Sequence, residues 1–174
     1  LELNIPAGLV IYSGKKNGFI MGADINEFTT IDDVDEAYSL IRQGQQVLDA
    51  LEALSCPTVA VINGYTLGGG LELAMACNYR LAYKNDKPII GLPEVQLGLH
   101  PGFGGTVRAV RLVGVRAAMK LMLTGKSIRV SAARKIGLVD RLCNAEEWQN
   151  QARELVNTQP KLSTAPFLEK ILNL

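Results

Sequence analysis

Residues 57–77 read PTVAVINGYTLGGGLELAMAC, and this stretch decides the fold. Thr58 to Ile62 is an uninterrupted apolar run rich in β-branched residues, the pattern of a strand buried on both faces. Cys56-Pro57 stops any helix arriving from upstream. After Asn63-Gly64 the run gives way to Leu67 and the glycines Gly68, Gly69 and Gly70, and LELAMAC (71–77) reads as a short helix. A strand that turns through glycines into a helix presents unpaired backbone N–H groups at the positive end of a helix dipole. Such a junction suits an anion.

Upstream, GLVIYS (8–13) reads as a strand, GKKNG (14–18) as a turn and FIMG (19–22) as a second extended piece. GADINEF (22–28) offers Asp24 as an N-cap. Apolar residues at 31, 34, 37, 40, 41, 47, 48, 51 and 54 then predict an amphipathic helix over Thr29 to Leu54, with acids at 32, 33, 35 and 36 near its N-terminus. Downstream, Tyr79 to Tyr83 reads as a strand, KNDKP (84–88) as a turn and IIGLPE (89–94) as an extended run ending at Glu94. The loop GLHPGFGG (98–105) opens a helix, TVRAVRLVG (106–114), and a second, RAAMKLMLTG (116–125), stops at Gly125. SAARKIGLVD (131–140) and an amphipathic helix near 145–157 follow. Strands mixed with helices and no interdomain linker define one α/β domain.

Composition narrows the chemistry. The 174 residues carry 18 Lys+Arg against 17 Asp+Glu, a balance that disfavours nucleic acid or an anionic membrane as the main partner. The longest uncharged stretch, Ala53 to Leu71, is broken by Pro57, Asn63 and glycines, so no membrane insertion is expected. Cys56, Cys77 and Cys143 are far apart and form no CxxC, which argues against disulfides and thiolate metal sites and for a reducing compartment. A single histidine, His100, leaves little for a His-based metal site or a Ser-His-Asp triad. Acid–base work therefore falls to carboxylates. Two nucleotide motifs fail on spacing: GxGxxG from Gly68 would need glycine where Leu73 stands, and a Walker A loop ending at Ser127 would need glycine where Lys120 stands. What remains is a glycine-rich junction with Glu72 just past it and Glu94 directly after Leu92-Pro93.

The motifs NGFIMGADI (17–25), PTVAVINGYTLGGGLELAMAC (57–77) and GLPEVQLGLHPGFGGTVR (91–108), in that order, resemble the crotonase, or enoyl-CoA hydratase, superfamily. The likeness runs from about Gly8 to Val156. In its longer segment ahead of the second glutamate, Lys84 to Pro88, the chain is most similar to the hydratase domain of the multifunctional α-subunits of fatty acid β-oxidation. The resemblance implies a crotonase-like (ClpP/crotonase) fold of repeated β-β-α units over residues 1–174, lacking the family's N-terminal strands and belonging to a longer chain. It implies 2-enoyl-CoA hydration giving 3-hydroxyacyl-CoA, with 3-enoyl to 2-enoyl isomerisation as an added or alternative activity.

Carried over residue by residue, the resemblance makes Glu72 and Glu94 the catalytic pair and the peptide N–H groups of Ala23 and Gly69 the oxyanion donors. Gly22, Asp24, Gly68, Gly70, Pro93 and Gly102 become substrate-binding positions. The enolate formed as water adds is stabilised by such donors at about 3 to 4 kcal/mol each, while one carboxyl handles the water at C3 and the other the proton at C2. No metal and no cofactor is implied beyond the CoA of the substrate; NAD would enter only with a downstream dehydrogenase domain. The resemblance further implies a homotrimer for a monofunctional chain or a thiolase partner subunit for a multifunctional one, in the bacterial cytoplasm or an organelle matrix.

Plainer readings stand beside these. Taken alone, Glu72 is a first-turn carboxylate favoured by a helix dipole. Asp24 is a turn-shaping cap, His100 a loop residue beside Pro101, and Lys15, Lys16, Lys84 and Lys87 are solvated turn charges. Met119, Met122 and Leu123 read as core. A non-catalytic paralogue that binds acyl-CoA or RNA is the competing function, and an intact glutamate pair without a basic stripe argues against it.

Overall fold

The computed structural model describes residues 6–16, 18–22 and 32–161. The strands expected near 8–13, 19–22, 58–62, 79–83 and 89–94 are joined by three that the sequence did not announce, at 65–67, 128–129 and 141–143, and together they form two sheets. Strands β1 (Leu9–Tyr12), β3 (Thr58–Ile62), β5 (Tyr79–Tyr83) and β8 (Arg141–Cys143) make one parallel sheet in the order β1-β3-β5-β8. Strands β2 (Gly18–Ile20), β4 (Tyr65–Leu67), β6 (Pro88–Gly91) and β7 (Ile128–Arg129) make the other, in the order β2-β4-β6-β7, with β7 antiparallel. Each successive pair, β1-β2, β3-β4 and β5-β6, gives one strand to each sheet and is followed by a helix: α1 (Val34–Glu52), α2 (Gly69–Ala76) and α3 (Gly105–Thr124). This is the repeated β-β-α winding of the crotonase fold. Helices α4 (Val130–Lys135) and α5 (Trp148–Thr158) complete the chain order.

Burial follows the apolar runs. All five residues of β3 are buried, as a strand covered on both faces requires. One core gathers Phe19, Ile62, Leu71, Ile90, Leu92 and Leu138, among others, between the sheets and the helices. A second, with Val59, Val61, Leu81 and Leu155, lies where α5 covers the first sheet. Arg80 of β5, on the strand face opposite Leu81, is buried too; its ion pair with Asp140 and its hydrogen bond to the Cys77 carbonyl (2.8 Å) offset part of the cost of burying the charge, and its Nε has no hydrogen-bond partner among the described residues. The three cysteines are buried and free. No helix among the described residues is long and apolar enough to cross a membrane.

Several expectations are corrected. The described helix α1 starts at Val34, capped by Asp33, whose side chain accepts from the Asp35 N–H at 3.0 Å. Asp24, expected as a cap, lies outside the described residues. The apolar positions predicted for this helix divide: Leu48 is buried and Leu51 packs against the core, while Val34 is 81% exposed and Leu40, Ile41 and Val47 are exposed too. The side of α1 turned inward carries Gly44, Gln45, Leu48 and Leu51, with the exposed Asp49 and Glu52 at its rim. Met119 and Leu123, read as core, are exposed. Glu94 does not end an extended run but opens a 3-10 turn, Glu94–Leu97. The two helices read as 106–114 and 116–125 stand as expected: both lie within Gly105–Thr124, and Gly114, with φ 79° and ψ 166°, breaks the helical geometry between them.

Candidate active site

The site is built where β4 turns into α2. Gly68 adopts φ 53° and ψ −129°, a conformation that penalises any side chain, and its N–H bonds back to the Gly91 carbonyl at 3.0 Å. The Gly68 carbonyl accepts from Leu71 N (2.8 Å) and Glu72 N (3.0 Å), starting α2 without a side-chain cap. The Gly69 N–H is among the first-turn donors that a helix cannot use itself, and none of the hydrogen bonds of the described residues employs it. Gly22, with φ 92°, lies across from it; a Cβ on Gly22 would stand 3.9 Å from the Gly69 nitrogen. Ala23 and Asp24 lie outside the described residues.

Glu72 projects from the first turn of α2 and is 1% exposed. Its Oε1 accepts from two backbone donors of the loop before α3, Phe103 N at 2.8 Å and Gly105 N at 2.7 Å. Burial raises its pKa, the two N–H bonds pull it back, the nearby Glu94 raises it and Arg108 lowers it. Glu94, at the start of the 3-10 turn, faces Gly68, where a Cβ would come 3.0 Å from Oε1. Its Oε2 is buried with no hydrogen-bond partner among the described residues. Burial raises this pKa as well, against the lowering effects of its own N–H and of His100. Two carboxyls, both biased toward holding a proton and one of them sensing the other's charge, sit beside a helix-start N–H that has no partner among the described residues. That set can take a proton, give one and receive negative charge on an oxygen.

The other expected positions have separate places. Pro93 directly precedes the 3-10 turn as its N-terminal boundary. The Gly102 carbonyl accepts from Gln45 Nε2 of α1 at 2.8 Å, and a Cβ there would meet nothing within 4 Å. Gly70 is used by packing: a Cβ on it would overlap the Ile20 carbonyl of β2. At Gly69 an added Cβ would lie 3.3 Å from the Phe103 ring, so that ring, too, demands the small residue. His100 is exposed, its Nδ1 3.1 Å from the Pro101 carbonyl oxygen, and its charge reaches Glu94.

Sequence reasoning missed Phe103, Gly105 and Arg108. A Cβ on Gly105 would stand 2.8 Å from Cγ and Oε1 of Glu72, so this glycine admits the carboxylate. One signal was available for Arg108. Between Glu94 and Asp140 the chain contains no Asp or Glu, so any ionic partner of that arginine has to come from a distant element.

The chain belongs to the enoyl-CoA hydratase/isomerase family, whose model matches residues 2–169, and its fold is the crotonase fold. Over 171 residues it is 47% identical to the fatty acid oxidation complex subunit alpha of Shewanella loihica, an alignment covering 95% of this chain and 24% of that protein. Among solved structures it is similar to enoyl-CoA hydratase from Bacillus anthracis, with TM-score 0.79 and 31% identity over 87% of this chain and 57% of the other. It is also similar to enoyl-CoA hydratase from Thermoplasma volcanium, with TM-score 0.78 and 31% identity over 87% and 59% of the two chains. The chain thus spans about a quarter of the curated relative.

A stability consequence follows from the burial of Glu72. Its folded-state pKa is raised, so the folded protein holds this proton more tightly than the unfolded chain does. The ionised carboxylate therefore costs stability once the pH rises through the folded-state value, and costs nothing below the ordinary glutamate range. Glu72→Gln stays neutral and keeps an acceptor for the Phe103 and Gly105 N–H groups. It is expected to raise the melting temperature at neutral pH by about 2 to 4 °C. Thermal unfolding across pH should show this gain fade in acid.

Proposed function

We propose that the chain hydrates 2-enoyl-CoA thioesters of fatty acid β-oxidation to 3-hydroxyacyl-CoA. The observation that carries this reading is the gathering of Glu72 and Glu94 on one glycine-lined junction beside the Gly69 N–H. Glu72 takes a proton from water as the water oxygen bonds to C3. The electron pair of the double bond moves toward the thioester, and the oxygen that gains charge faces the Gly69 N–H and, by family resemblance, the Ala23 N–H. Glu94 delivers a proton to C2, which collapses the enolate. These steps are acid–base chemistry on an activated thioester and call for neither a metal nor a redox cofactor. A proton shift from a 3-enoyl to a 2-enoyl thioester needs only one carboxyl, so the paired arrangement favours hydration as the principal reaction.

The test is an assay with short and long 2-enoyl-CoA substrates, following the appearance of 3-hydroxyacyl-CoA by mass. Product formation is expected. Isomerisation of 3-enoyl-CoA without any hydration would overturn the proposal.

A further inference from the structure

Arg108, in the first turns of α3, is 5% exposed and engages all three nitrogens of its guanidinium. Nη2 reaches Asp49 Oδ1 at 2.6 Å and Nε reaches Glu52 Oε2 at 2.9 Å, both on α1. Nη1 donates to the Phe103 carbonyl at 2.8 Å. That carbonyl belongs to the loop whose Phe103 and Gly105 N–H groups converge on Oε1 of Glu72. The same loop is tied to α1 a second time by Gln45 Nε2 on the Gly102 carbonyl. It is wedged a third time by the Phe103 ring, which sits where a Cβ on Gly44 of α1 would come 2.5 Å from it and a Cβ on Gly69 3.3 Å. α1 therefore bears on the catalytic carboxylate and on the Gly69 peptide through one loop.

We propose that Arg108, clamped by Asp49 and Glu52, is the positioning residue that holds the 103–105 peptides against Oε1 of Glu72 and so leaves Oε2 to the reacting water. Among the described residues Oε2 carries no hydrogen bond, and their anchoring of the carboxylate runs through Oε1. Such anchoring fixes the direction of the other oxygen, as outer-shell partners fix metal-binding side chains. Asp49 and Glu52 are themselves exposed on their outer sides, and Arg111 stands 3.8 Å from Glu52. Glu52 thus balances two arginines, while among the described residues Asp49 pairs with Arg108 only.

This inference rests on the hydratase reading for its kinetic arm and not for its structural arm. In the full chain, Arg108→Met is expected to lower kcat for 2-enoyl-CoA hydration by about 30-fold with KM within about threefold, the scale of lost outer-shell support. Losing the guanidinium and loosening two N–H bonds both raise the Glu72 pKa, and Glu94, which raises it as well, stays in place. The acid limb of kcat/KM is therefore expected to move to higher pH by about half a unit or more. Arg108→Lys, which keeps the charge but loses the fork, should return the limb part of the way. Exposed Arg116→Met, on the same helix, is the control with wild-type kinetics.

The arm independent of activity is amide exchange. The Phe103 and Gly105 N–H groups should exchange about tenfold faster in Arg108→Met, while those of Ala74 to Ala76 in α2 keep wild-type rates. If Arg108→Met does not fold, Asp49→Asn, at an exposed carboxylate, should show the same shifts at smaller size. An unmoved acid limb together with unchanged exchange at both peptides would overturn the proposal. Faster exchange in a protein that hydrates nothing would uphold the positioning role and overturn the hydratase reading.

Discussion

Glu72→Gln and Glu94→Gln are each expected to lower kcat for 2-enoyl-CoA hydration by about a thousandfold or more, with modest change in KM, and the double variant to be little worse than the worse single. Glutamine at 72 still offers an oxygen to Phe103 N and Gly105 N, so the loop stays where it is. What it cannot do is accept the proton of the attacking water. Glutamine at 94 likewise fills the space beside Gly68 but has no acid to give. Groups that act in one proton circuit lose their effect together, so removing both costs hardly more than removing one. Steady-state rates of purified variants whose melting curves show them folded at the assay temperature check this. Near-normal turnover in Glu94→Gln would remove it from the mechanism.

The second large effect is on folding. Gly70→Ala places a methyl group inside the Ile20 carbonyl of β2, a backbone atom held in the second sheet, and no rotamer change relieves that overlap. The variant is expected to lose about 3 kcal/mol or more of stability, the upper range for overpacking, which in a chain of this size lowers the melting temperature by about 10 °C. Gly102→Ala, whose new methyl meets nothing within 4 Å, should leave the melting temperature unchanged. Any rise in KM for acyl-CoA in Gly102→Ala then reports a contact with substrate. A Gly70→Ala protein as stable as the wild type would show that α2 and β2 yield more readily than their packing indicates.

The sequence revealed most where a pattern is local. The buried run 58–62, the glycines at 68–70 and the glutamate after Leu92-Pro93 each announce themselves within a few residues, and strand, turn and carboxylates stand where those signals lie. Strands β4, β7 and β8 have three, two and three residues, too few to show any period. They are strands because neighbours in the sheet pair with them. Helix α1 misleads for a different reason. Of its apolar residues Leu48 and Leu51 pack while Val34, Leu40, Ile41 and Val47 stay exposed, and its contacts with the site run through Gly44, Gln45, Asp49 and Glu52. Those polar residues look like an ordinary solvated surface until Arg108 and Phe103 arrive from more than fifty residues away.

The alternating delivery of strands to two sheets also governs how the chain reaches this structure. Leu9 pairs with Thr58, Val59 with Tyr79 and Leu81 with Arg141, so no rung of the first sheet closes over a short hairpin. Each parallel rung costs loop-closure entropy before it returns any burial. Refolding from denaturant should therefore be slow, and the transition state should already contain the β3-β5 rung, whose closing loop is the shortest of the three. Until that rung forms, the apolar stretch 58–62 is open to other chains, and recovery of native protein should fall steeply as the refolding concentration rises.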